Sequence, residues 1–69
     1  MRLSTRNQIP GKVVSVTSGE AMAVVKVEIE GGQVLTSSIT LDALTDLGIA
    51  VGKEVSLVIK STDVALGVE

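Results

Sequence analysis

Between Val25 and Glu30 the chain alternates without a break: Val25, Val27 and Ile29 are apolar, while Lys26, Glu28 and Glu30 are charged. Successive side chains of an extended chain point to opposite faces, so this segment reads as a strand with one face in a core and one in water. A strand needs partners for its backbone N–H and C=O groups, and the flanking sequence offers them. Gly31-Gly32 follows at once, a pair that readily takes the positive φ of primed hairpin turns. Gln33 to Ile39 then returns as a third strand, with Leu35 and Ile39 on one side and Thr36 and Ser38 on the other. Upstream, Lys12 to Thr17 is a β-branched first strand, placing Val14 and Val16 on one face and Val13, Ser15 and Thr17 on the other, and Ser18-Gly19-Glu20 is the turn after it.

A single helix interrupts the strands. Thr40 is a good N-cap, Asp42 adds negative charge to the first turn, and Ile39 with Leu44 fits a hydrophobic staple, so a short helix is expected over Leu41 to Leu47. Gly48 supplies the stop. A further turn at Gly52 leads into a fourth strand, Glu54 to Lys60, with Val55, Leu57 and Ile59 aligned, and Val64 to Val68 reads as a short fifth. Three strands, a helix and two strands is the element order of an all-β, five-stranded, OB-like antiparallel barrel with its helix between strands three and four; SH3-like barrels are the alternative. Residues 1–69 form a single domain with no internal repeat and no linker.

Sixty-nine residues bury only about 60% of the surface their unfolded chain exposes, so a lone domain of this size is marginal. With no Cys and no His, neither a disulfide nor a zinc site can staple it. The chain is 45% hydrophobic yet has no aromatic residue, which leaves more aliphatic surface than one small core can hide and points to a homo-oligomer. A net charge of −2 and the missing aromatics weigh against nucleic acid, which asks for a basic face and stacking platforms. Residues 1–11 lack the apolar stretch of a secretion signal, and no later apolar run approaches the roughly 20 residues of a membrane span, so a soluble cytoplasmic protein is expected.

Little in the chain supports catalysis. Without His or Cys, only Lys60 beside Ser61 offers a base and a nucleophile, and neighbours on a strand face opposite ways. Glu28 and Glu30, like Asp42 and Asp46, are explained as solvated faces, and Gly31-Gly32 lacks the spacing of a phosphate loop. The remaining chemistry lies in two polar tracts, Ser4-Thr5-Arg6-Asn7-Gln8 and Lys60-Ser61-Thr62-Asp63. Each combines hydroxyls, backbone N–H groups and one permanent cation, a donor-rich mixture suited to a small oxyanion.

Those tracts, with Gly11-Lys12-Val13 after the first and Val64 after the second, the Gly31-Gly32 pair and Ser38-Ile39-Thr40-Leu41, resemble the molbindins. These are the Mop-type domains of the wider TOBE family, which bind molybdate and tungstate. The resemblance covers nearly the whole chain. It implies a five-stranded OB-like fold assembled as a homo-hexamer, a trimer of dimers, holding oxyanions between subunits. Ser4, Thr5, Arg6 and Asn7 would come from one chain and Lys60, Ser61 and Thr62 from a neighbour. The family often carries Ala at the position of Thr5, which takes weight off a hydroxyl contact there and leaves the backbone N–H. A second class of family site near the three-fold axis has no equally specific motif in this sequence. The reading that follows is a non-enzymatic, cytoplasmic molybdate- or tungstate-binding protein for storage, buffering or homeostasis, with no organic cofactor. The alternative is an oligomeric regulatory or interaction module with weak or no anion binding.

Overall fold

A computed structural model describes residues 2–69. Strand β1 runs Asn7–Ser18, β2 Met22–Ile29, β3 Val34–Thr40 and β4 Glu54–Ile59, with helix α1 at Leu41–Asp46 between β3 and β4 and a single 3₁₀ turn at Ser61–Asp63. The four strands make one antiparallel sheet in the order β3-β2-β1-β4. Strand β1 is therefore central and serves two partners in succession. Its first residues, from Asn7 to Pro10, pair only with β4, whereas Gly11 and Lys12 pair with both β4 and β2.

That division explains why a strand tolerates Pro10. Proline cannot donate to a ladder, but at Pro10 the side of β1 away from β4 has no partner strand in register. Pro10-Gly11 reads as a breaker in isolation, so the sequence places the strand start at Lys12; the start lies instead at Asn7, and Asn7 and Gln8 are the first residues of the sheet rather than its approach. Gly11 has a separate reason to lack a side chain. A Cβ there would stand 2.6 Å from Val27 Cγ1 and 2.9 Å from the Glu28 carbonyl oxygen, so the strands meet too closely for any other residue.

The core is small and aliphatic. Val13, Ala23, Val25 and Val27 are buried, and Val16, Ile39, Leu44, Ile49, Val55 and Leu57 pack around the valines. Val13 is 1% exposed, which corrects the expectation that Val14 and Val16 share a face opposite Val13. The register between β1 and β2 shifts between Val13 and Ser15, leaving Val14 as the extra residue of a bulge. A bulge changes the phase of alternation by one residue, so Val13 and Val16 both reach the core while Val14 turns outward.

The β2–β3 hairpin also differs in detail. Gly32 N–H donates to the Ile29 carbonyl at 3.0 Å and Ile29 N–H to Gln33 at 2.9 Å, so the loop is Glu30-Gly31-Gly32. Both glycines have positive φ and Glu30 does not, which rules out a primed turn centred on two left-handed residues. Thr40 caps α1 as expected, its hydroxyl accepting from Ala43 N–H at 3.1 Å. At the other end, Gly48 at φ +65 donates to Thr45 and Ile49 donates to Leu44, the paired bonds of a Schellman stop. Lys53 adds its ammonium to the Leu47 carbonyl at 2.8 Å.

Among the described residues the sheet has four strands and not five. After β4 the chain turns through Ser61–Asp63, and the residues from Val64 onward join no ladder. The segment expected as a fifth strand is apolar and exposed: Leu66 and Val68 are 95% and 98% accessible. The half-barrel thus retains an open apolar cleft of about 430 Å³, lined by Val13, Val27, Ile39, Val55 and Leu57 among others.

Candidate functional site

The polar tracts, far apart in sequence, leave the sheet together. Asn7 is paired directly with Ile59, and Gln8 with Val58, in the antiparallel ladder of β1 and β4. Residues directly opposite in such a ladder have Cα atoms about 4.5–5.5 Å apart. Arg6 and Thr5 therefore depart from the same end of the sheet at which Lys60 and Ser61 leave β4. The pair is tied by a side chain as well, since Asn7 Nδ2 donates to the Ile59 carbonyl at 3.2 Å.

Beyond Ile59 the backbone turns. Asp63 N–H donates to the Lys60 carbonyl at 2.9 Å and Val64 N–H to the Ser61 carbonyl at 3.3 Å. This turn carries the Ser61 and Thr62 hydroxyls, and Lys60, Ser61 and Thr62 are all exposed. On the other tract Ser4 and Arg6 are exposed, and Thr5 and Asn7 are half-buried. Alternation continues upstream of β1, so Arg6 faces solvent between two inward neighbours. The result is a solvent-facing rim bearing two cations, Arg6 and Lys60, and the Ser4, Ser61 and Thr62 hydroxyls, with Asp63 as the nearby carboxylate in sequence.

Two of the seven candidate side chains point elsewhere. Thr5 Oγ1 is buried and has no hydrogen-bond partner, so what Thr5 offers the rim is backbone. Asn7 has committed one amide N–H to Ile59. The Ile59 carbonyl is itself a working part of the arrangement that no sequence pattern marks, because only the ladder register brings it to Asn7. Ser61 and Lys60 lie in and before the 3₁₀ turn rather than on a strand, which replaces the strand argument against that pair without supplying a catalytic one. Glu28 is an exposed residue of β2, and Glu30 belongs to the hairpin loop rather than to the same strand face. Among the described residues no group of three or more His, Cys, Asp or Glu is placed to hold a metal ion. No helix there is long and apolar enough to cross a membrane.

A small curled antiparallel sheet with a capped helix before its last strand, and a donor-rich rim where the first and last strands meet, defines a compact all-β module. The chain belongs to the TOBE domain family, whose model matches residues 3–66. It is 48% identical over 69 residues to a probable molybdenum-pterin-binding protein of Haemophilus influenzae, covering all of both chains. Among solved structures, an apo form of MopII from Clostridium pasteurianum superposes with a TM-score of 0.91 at 45% identity, over 97% of this chain and 100% of that one. The cytoplasmic molybdate-binding protein ModG, solved with molybdate bound, gives a TM-score of 0.95 at 39% identity, over 100% of this chain and 49% of the other.

Proposed function

We propose that the protein binds molybdate reversibly, and tungstate in the same way, at the rim formed by Ser4, Thr5, Arg6, Asn7, Lys60, Ser61 and Thr62. Its role is oxyanion storage, buffering or homeostasis, with no reaction performed. The observation that carries this reading is the Asn7–Ile59 pairing, which brings the two donor-rich tracts to one end of the sheet. Molybdate at neutral pH is a fully deprotonated dianion whose oxygens only accept hydrogen bonds, so it calls for a shell of donors. Inorganic phosphate keeps at least one proton near pH 7 and gains from an acceptor, so a donor-only shell favours molybdate over it. A net charge of −2 does not forbid a dianion, because distant carboxylates are screened over about 8 Å while Arg6 and Lys60 stand at the rim. The names of the similar Haemophilus protein and of ModG support molybdenum as the element concerned, and the description of ModG supports a cytoplasmic setting.

The assembly proposed is a homo-hexamer built as a trimer of dimers, with the anion between subunits. Its support is the exposed tail: Val64, Leu66 and Val68 recur at every second position, as in a strand with one apolar face, and have no place in their own sheet. Added to a second copy, this tail is the fifth strand of the barrel, and the apolar cleft gives the copies complementary surfaces. Equilibrium dialysis of the Arg6→Ala and Lys60→Ala variants against molybdate tests the site. Each is expected to lose at least about tenfold in affinity, since a hydrogen bond from a charged donor is worth about 1.5–3 kcal/mol, while the assembled mass stays the same. Wild-type affinity in both variants would refute the assignment.

A further inference from the structure

Asn7 is one of the residues expected to touch the anion, yet its amide is engaged within the protein. Nδ2 donates to the Ile59 carbonyl at 3.2 Å, joining residues 52 positions apart. The identity of that acceptor matters. The Ile59 carbonyl belongs to the same peptide unit as the Lys60 N–H, and no peptide bond among the described residues is cis. A trans peptide is planar and its C=O and N–H point in opposite directions. Whatever fixes the Ile59 carbonyl therefore fixes where the Lys60 N–H is aimed and the direction in which the chain enters Lys60.

The bond sits where such control has most effect. The β1–β4 ladder ends at Asn7 and Ile59, and the next backbone hydrogen bond of this segment, Asp63 to Lys60, lies within the turn itself. The Asn7 amide is thus the outermost tie between the two tracts. With one Nδ2 hydrogen spent on Ile59, the amide keeps one N–H, and its other end is Oδ1, an acceptor that a fully deprotonated oxyanion repels.

We infer that Asn7 is a positioning residue: its side-chain amide clamps the Ile59–Lys60 peptide and so holds Lys60, Ser61 and Thr62 in place for the anion, instead of binding the anion itself. This role rests on the proposed function. The experiment uses the full chain as wild type, Asn7→Ala and Asn7→Leu, the last keeping the branched shape with neither donor nor charge in case Asn7→Ala does not fold. Molybdate affinity is measured by calorimetry, assembled mass by native mass spectrometry, and the ligand-free Lys60 amide by its ¹H and ¹⁵N shifts and hydrogen exchange. The expected result is a loss of about tenfold in affinity, an unchanged assembled mass, and a displaced, faster-exchanging Lys60 amide before any anion is added. Unchanged affinity overturns the inference. So does lowered affinity with an unmoved Lys60 amide, which would make Asn7 a direct ligand. If the wild type binds no molybdate, the functional reading fails first and this role with it, whatever the Lys60 amide does.

Discussion

Thr5 shows how one side chain can belong to a tract without serving its chemistry. Its hydroxyl oxygen is buried with no hydrogen-bond partner, and an unsatisfied buried group of this kind costs about 1–3 kcal/mol. Valine has nearly the same shape without the polar atom. Thr5→Val is therefore expected to raise stability by up to about 1 kcal/mol, read as a higher melting temperature, and to leave molybdate affinity unchanged; a fall in affinity would mean that the hydroxyl reaches the anion after all. Ser4, Arg6, Lys60, Ser61 and Thr62 present the opposite case, exposed and free of structural duty in the core. Residue types alone single out these positions as donors. They do not separate Thr5 and Asn7 from them, because burial and the partner of an amide depend on register, and register follows from contacts 52 residues away.

Among the elements, β1 carries most of what the pattern hides. The alternation in β2 and the caps of α1 are legible because each depends on residues within a few positions: Val25, Val27 and Ile29 for the strand, Thr40 and Gly48 for the helix. The bulge at Val14 is not, since Lys12 to Thr17 offers valines on both faces and only pairing with β2 decides which of them go in. The start of β1 is hidden for a related reason, as Pro10-Gly11 has the composition of a turn but occupies a stretch where the central strand passes from one partner to two. Gly11 is the position on which this crossing depends. A methyl there would lie 2.6 Å from Val27 Cγ1 and 2.9 Å from the Glu28 backbone oxygen, so Gly11→Ala is expected to cost about 1–3 kcal/mol, measured as a lower urea midpoint. An unchanged midpoint would show that β1 and β2 can separate without loss.

At the scale of the whole molecule, a 69-residue chain with four buried core residues has little stability of its own to spare. The C-terminal segment exposes apolar side chains that a solitary domain would be expected to hide, and the fifth strand expected there does not form in the sheet, which the residues from Val64 onward do not join. Leu66→Asp combined with Val68→Asp places two charges on this tail and is expected to convert the proposed hexamer to smaller species in size-exclusion chromatography at micromolar concentration, with molybdate binding lost at the same time. Retention of both size and binding would remove the tail from the interface. The proposed function requires that the donor-rich rim take up a bare dianion in preference to a protonated one. Calorimetric titration of the purified protein with molybdate, tungstate and phosphate at neutral pH decides this: saturable uptake of molybdate and tungstate with phosphate at least about tenfold weaker is the expected result, as one lost charge-assisted hydrogen bond is worth about that factor. Absence of molybdate binding, or phosphate bound as tightly, would contradict it.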